Sequence, residues 1–87
     1  MVNITILTQV SCALCDHAKE ILTRTSVEFR IDVQEIRMET EEGRNLAIQN
    51  GVMFAPGVFI DGKLFSYGRL SEKKLRHHLE RKGNFNE

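Results

Sequence analysis

Tryptophan is absent from this sequence, tyrosine and proline each occur once, and there are only two cysteines. Without Trp and with a single Tyr, an aromatic platform for stacking single-stranded bases is not expected. Net charge of one sign is also missing: twelve Lys and Arg balance twelve Asp and Glu. That balance gives no electrostatic case for nucleic acid or for an anionic membrane. No apolar run is long enough to span a bilayer, and Met1–Val10 lacks the basic start and apolar stretch of a secretory signal. These absences place the chain in the cytoplasm, where a disulfide is seldom a permanent staple. Both cysteines fall in one Cys-x-x-Cys, Cys12 and Cys15, too close together to clamp distant parts of the chain. The choices left are redox chemistry, metal binding or inert thiols.

What is present is ordinary for a globular protein. The 87 residues suffice for one domain, 1–87, with a thin core. Apolar residues make up 41% and charged residues 28%, outside the range of disordered chains. Val2 to Thr8 is β-branched and apolar and reads as a strand. From Cys12 or Ala13 to about Thr25 the pattern is helical, with Leu14, Ala18, Ile21 and Leu22 on one face. Val27, Phe29, Ile31 and Val33 alternate with Glu28, Arg30, Asp32 and Gln34, which predicts a half-buried edge strand. A second helix runs from Thr40, its N-cap, to Asn50, and Gly51 stops it. Gly43 inside it costs about 1 kcal/mol relative to Ala. The acidic run Glu39, Glu41 and Glu42 suits the positive end of that helix dipole.

Gly57 to Ile60 is a short buried strand. Asp61-Gly62 is a hairpin turn, and Lys63 to Tyr67 is the partner strand. Ser71 caps a last helix to about Lys82 with Leu75 and Leu79 facing inward. The tail, 83–87, is expected to fray. The order β-α-β-α-β-β-α predicts an α/β fold: a right-handed parallel βαβ unit, then a hairpin. Together they make one four-stranded mixed sheet with helices on both faces.

Cys12 lies between the first strand and the first helix. Free N–H groups and the helix dipole favour an anion there, and a thiolate is both an anion and the attacking form of cysteine. Cys15, one turn on, shares its flank with Ala18 and Leu22 and should be the more buried sulfur. That asymmetry suggests a mechanism in which Cys12 attacks a disulfide and Cys15 resolves the mixed disulfide. Lys19 and His17 are the nearest possible cations, and Asp16 opposes the thiolate slightly. A soft-metal carrier, Cu(I) or Zn on two thiolates, is the competing reading. Heavy-metal-associated domains also place Cys-x-x-Cys before a first helix, usually after Met-Thr and in a β-α-β-β-α-β order. Here Val-Ser precedes Cys12 and the last element is a helix. A third reading is an adaptor whose cysteines are incidental.

Cys-x-x-Cys at the first helix, then Ala55-Pro56, then Val58-Phe59-Ile60-Asp61-Gly62, resembles the thioredoxin superfamily and its small glutaredoxin-like members. The stretch Asn50 to Lys63, with the later Gly68-Arg69, also resembles small archaeal and bacterial thioredoxin-like redox proteins. The likeness runs from about Ile4 to Leu79. It implies a thioredoxin-like fold and a thiol–disulfide oxidoreductase with Cys12 and Cys15 as the catalytic pair. It implies that Ala55-Pro56 is cis and lies against Cys12, and that the Ala55 backbone pairs with an extended peptide or with glutathione. Leu14, Phe54, Tyr67 and Val10 are the expected apolar rim for that substrate.

No bound cofactor or metal is expected; glutathione enters as a possible cosubstrate. The implied partners are a disulfide-containing protein and a thioredoxin-type reductase or glutathione, with the chain acting as a monomer. Some positions depart from the family patterns. Ala13-Leu14 replaces the Gly-Pro of thioredoxins and the Pro-Tyr of glutaredoxins. Ile6 stands where thioredoxins bury an Asp, and Gln9 where many glutaredoxins have a Lys. Tyr67-Gly68-Arg69-Leu70-Ser71 has one Gly and no acid before Glu72, so the glutaredoxin cap for glutathione's amino-acid end is missing. His17 is expected to be solvated, as are His77 and His78 among Lys73, Lys74, Arg76, Arg81 and Lys82.

Overall fold

A computed structural model describes residues 1–83 and Phe85. The chain runs β1 (Val2–Thr8), α1 (Ala13–Glu28), β2 (Ile31–Arg37), α2 (Glu41–Asn50), β3 (Gly57–Ile60), β4 (Lys63–Tyr67) and α3 (Glu72–Arg81). One mixed sheet has the order β2-β1-β3-β4. β1 pairs in parallel with β2 and antiparallel with β3, and β3 pairs antiparallel with β4. The expected element order and sheet are therefore observed, with β2 at an edge.

Side chains of β1 alternate between two cores because successive residues of a strand face opposite sides. Val2, Ile4 and Ile6 pack on the side of α1 and α3, with Ala18, Ile21, Leu22, Leu75 and Leu79. Leu7 faces the other side with Ile36, Ala47, Val52 and Phe59, under α2. Each such fully buried Leu or Ile contributes about 1.5–3 kcal/mol relative to exposure. The two central strands, β1 and β3, thus carry the site-bearing ends of the sheet on a packed base.

The boundary between α1 and β2 is a correction to the sequence reading. The helix was expected to stop near Thr25 and the strand to occupy 27–34. Instead α1 reaches Glu28, Val27 is 76% exposed on it, and β2 begins at Ile31. Length explains this. Val2 pairs with Ile31, so the helix must carry the chain back along all seven residues of β1. Seven strand residues span about 23 Å and sixteen helical residues about 24 Å, whereas a helix ending at Thr25 would fall nearly one turn short. Within the helix the hydroxyls of this segment bond back to carbonyls of the preceding turn, so they are satisfied without leaving the helix. Thr23 donates to the Lys19 carbonyl at 2.9 Å, Ser26 to Thr23 at 2.7 Å, and Thr25 to Ile21.

Gly43 is buried, and a Cβ there would meet the backbone of Arg37 and Met38. The helix-weakening glycine is what lets α2 approach the end of β2. Thr40 caps α2, its hydroxyl accepting from Gly43 N–H at 3.0 Å, and Gly51 ends the helix in the left-handed region. Asp61 and Gly62, φ 50° and 84°, make the hairpin turn. At the C-terminus Phe85 bridges to Phe29, with ring centroids 4.9 Å apart, so this residue of the expected frayed tail is paired. The expectation for Asn84, Asn86 and Glu87 lies outside the described residues.

Candidate active site

The loop Gln9–Ser11 turns the chain from β1 into α1. Ser11 takes φ 54°, in the left-handed region that a side chain disfavours. Cys12 follows as the N-cap of α1 with extended backbone, and its Sγ accepts the Cys15 N–H at 3.1 Å. Its carbonyl accepts the Asp16 N–H at 3.2 Å, the first bond of the helix. A sulfur in this position takes a hydrogen bond that a helix start otherwise leaves unmade. Cys12 is partly exposed, while Cys15 is 2% exposed on the buried side of α1. The two sulfurs form a disulfide, with Cα atoms 5.2 Å apart, within the ordinary range for such a bond.

The Ala55-Pro56 bond is cis. Leu7 pairs with Gly57, so Pro56 enters β3 at the sheet end where β1 leaves toward Cys12. Pro56 and Ala55 are buried. The backbone of Ala55 makes no hydrogen bond to the described residues. The Pro56 carbonyl accepts the Gly68 N–H at 2.8 Å, tying the end of β4 to this segment. Gly68 has φ 86°, and a Cβ on it would stand 3.1 Å from the Phe54 ring. Phe54, 53% exposed, meets Tyr67 edge-to-face at 5.3 Å. Phe54, Pro56, Tyr67 and Gly68 therefore form one wall. Val10, two residues before Cys12, and Leu14, between the cysteines in sequence, are exposed, and so is Met53, which precedes Phe54.

Two clefts of the surface lie away from the cysteines. One of about 450 Å³ runs between α1 and β2, lined by Ile6, Leu22, Lys19 and Glu35 among others. Another, about 650 Å³, lies along α3. Neither is lined by Cys12, Cys15 or Pro56.

Charged groups of α1, β2 and the turn after β2 are occupied with one another and with β1 and the loop before Cys12. Lys19 reaches Glu35 at 3.0 Å, and the buried Thr8 hydroxyl donates to the same oxygen at 2.6 Å. These bonds, Thr8 first and Lys19 next, hold the Glu35 carboxyl below the usual carboxylate range. Glu35 pairs in register with Ile6, which is 1% exposed; the apolar Ile6 position on β1 thus has a carboxylate as its neighbour on β2. Glu39 departs from the dipole role given to it. Its Oε2 accepts the Val10 N–H at 3.1 Å and its Oε1 the Arg37 Nε at 3.1 Å. Burial raises its carboxyl, but the N–H groups of Val10 and of Glu39 itself, with Arg37, outweigh that and hold it low.

His17 also differs from expectation: it is partly buried, and its Nδ1 has no hydrogen-bond partner among the described residues. The basic helix is partly paired. Arg76 contacts Glu72 and Glu28, and Arg24 reaches Glu72 at 2.8 Å. His78 lies edge-on to Phe65 at 5.4 Å. Among the described residues no group of three or more His, Cys, Asp and Glu is placed to hold a metal, and no helix is long and apolar enough to cross a membrane.

Two sulfurs that can join or separate within one helical turn, carried at the end of this sheet, define a thiol–disulfide redox protein of thioredoxin-like fold. The chain belongs to the thioredoxin-domain family, whose model matches residues 2–80. A probable thioredoxin of Methanothermobacter thermautotrophicus is 32% identical over 77 residues, covering 86% of this chain and 88% of that protein. Among solved structures, a thioredoxin-like protein from Clostridium perfringens superposes with a TM-score of 0.75 at 18% identity, over 95% of this chain and 71% of that one. Glutaredoxin 1 from Francisella tularensis superposes with a TM-score of 0.61 at 18% identity, over 94% and 96%. These structural likenesses concern the fold, which thioredoxins and glutaredoxins share. The chain is thus a thiol oxidoreductase.

Proposed function

We propose that this protein reduces disulfides in other proteins, with Cys12 as nucleophile and Cys15 as resolving thiol. The observation that carries this reading is the asymmetry of the pair. Cys12 is partly exposed and its sulfur caps α1 and accepts a helix N–H, and Cys15 is buried one turn on. In the reduced protein the helix end and that N–H favour the Cys12 thiolate. The thiolate attacks one sulfur of a substrate disulfide, and the other sulfur leaves as a thiol after taking a proton. Cys15 then loses its proton and attacks Cys12 Sγ, releasing the second substrate thiol. Two electrons pass to the substrate, and the protein is left with the Cys12–Cys15 disulfide. A thioredoxin-type reductase or glutathione in the cytoplasm restores the dithiol, and the protein acts as a monomer.

A protein substrate is favoured over glutathione by the exposed apolar side chains near the Cys12 and Pro56 segments and by the residues that follow β4. Val10, Leu14, Met53, Phe54 and Tyr67 are exposed apolar side chains on the loop before Cys12, on α1 and on the segments around Pro56. The unused backbone of Ala55 suits an extended peptide docking as an added strand. The segment from Tyr67 to Ser71 offers no carboxylate to hold the amino-acid end of glutathione. The test is a trapped intermediate. The Cys15→Ser variant should accumulate mixed disulfides between Cys12 and cellular proteins, identified by mass spectrometry after non-reducing purification. Recovery of glutathione as the sole adduct would refute the choice of substrate. Absence of any adduct at Cys12 would refute the mechanism.

A further inference from the structure

The segment that carries Cys12 is short, strained and fastened from outside. Ser11 holds a left-handed backbone, φ 54°, where a side chain costs free energy. Such a conformation persists only when neighbouring structure determines it. On its C-terminal side the determinant is α1, through the bond from Asp16 N–H to the Cys12 carbonyl. On its N-terminal side it is the turn between β2 and α2. Met38 N–H donates to the Thr8 carbonyl at 2.8 Å, and Val10 N–H donates to the Glu39 carboxylate at 3.1 Å.

The turn that presents Glu39 is itself braced. Thr40 Oγ1 donates to the Arg37 carbonyl at 2.6 Å, Arg37 Nε holds the second Glu39 oxygen, and Arg44 reaches the Glu39 carbonyl at 3.3 Å. A carboxylate accepting from a backbone N–H is a charge-assisted bond, stronger than a neutral one. We propose that Glu39 is a positioning residue for the reaction at Cys12: by gripping the Val10 N–H it fixes the Gln9–Ser11 turn and so sets the N-cap geometry of the attacking sulfur. This rests on the assignment of Cys12 as nucleophile.

Geometry and field act in opposite directions here, which makes the inference testable. A negative charge near a thiolate disfavours it. If the field of Glu39 were its main effect, removing the charge would move the pH midpoint of Cys12 ionisation down. If Glu39 acts by holding the loop, losing the acceptor loosens the cap and moves that midpoint up, while an amide oxygen in the same place limits that shift. The experiment uses the reduced full chain, with iodoacetamide as the probe. It follows alkylation of Cys12 against pH and, separately, the rate of insulin disulfide reduction.

Glu39→Ala should slow both by about tenfold, as a small misplacement of a reacting group does, and raise the alkylation midpoint. Glu39→Gln should fall between wild type and Ala and no further from wild type than Arg37→Ala, because its one amide oxygen keeps the acceptor for Val10 but turns an NH2 toward Arg37. Arg37→Ala, which releases Glu39 to swing away, should shift the midpoint in the same direction by a smaller amount. A wild-type profile in both Glu39→Ala and Arg37→Ala would overturn the inference. So would a Gln variant as impaired as Ala, or a downward shift of the midpoint in both Glu39 variants. Alkylation is read without any substrate. A wild-type protein that alkylates at Cys12 yet reduces no insulin would therefore refute the proposed function alone and leave the comparison at Glu39 intact.

Discussion

Replacing Gly43 with Ala sets two effects against each other, and the structure decides which is larger. Helix propensity alone favours Ala over Gly in a helix interior by about 1 kcal/mol. A Cβ at this position, however, would fall on the Arg37 carbonyl oxygen, 2.8 Å from the Arg37 carbonyl carbon and 2.9 Å from Met38 Cα. All three are backbone atoms, and they are held by Met38 N–H on Thr8 and by the Thr40 hydroxyl on Arg37. They cannot turn aside as a flexible side chain would. Overpacking costs about 1–3 kcal/mol, and a contact with fixed backbone belongs at the upper end. The expected balance is a net loss of about 2 kcal/mol, which for a domain of this size lowers the melting temperature by roughly 8–16 °C. Thermal and urea unfolding followed by circular dichroism measure it. An unchanged or raised melting temperature would refute the reasoning, since propensity would then have won.

Other expectations concern the site and the pH response. In the reduced protein, limiting iodoacetamide should label Cys12 well before Cys15; equal labelling would contradict the difference in burial. Phe54→Ala and Tyr67→Ala should each lower kcat/KM toward a protein disulfide by about tenfold, the size of an interface residue's truncation. They should leave reduction of a small disulfide such as hydroxyethyl disulfide unchanged, and equal losses on both would remove these rings from docking. Burial first, then Lys82 and Arg81, lowers the His78 pKa from 6.5. As the pH falls below that value the unfolded chain takes up the proton before the folded one. The stability linked to His78 is therefore complete above pH 6.5 and lost as the pH drops through the folded value. Urea midpoints at pH 7.5 and 5 should show a drop in wild type that His78→Gln reduces; parallel behaviour of the two proteins would contradict it.

Much of this architecture was legible because local and tertiary signals agreed. The Asp61-Gly62 turn, the Thr40 and Ser71 caps and the apolar run of β3 each had a local cause, and their boundaries match. The end of α1 did not, because the period of two between Val27 and Val33 is real but subordinate to a length requirement. A parallel partner for β1 cannot begin until the helix has returned past Val2, and sequence periodicity carries no such distance. The sulfurs were legible from spacing, and the cis bond at Pro56 from family resemblance rather than from the residues themselves. By sequence Glu39 belongs to an acidic run that complements α2. Its bond to Val10 joins residues far apart in sequence, and no pattern of residue types announces it. Glu35 escaped notice for the same reason: its meeting with Thr8 and Lys19 depends on the β1–β2 register.

The most direct test of a Cys12–Cys15 redox cycle is equilibrium titration of the wild-type protein in thiol–disulfide buffers, read by intact mass after acid quenching. A single two-electron transition should appear, with loss of two mass units and no adduct, at a potential of about −270 to −200 mV, the span of reducing proteins of this kind. If no internal disulfide forms at any poise, or if mass accumulates only as adducts on separate thiols, the redox assignment is wrong.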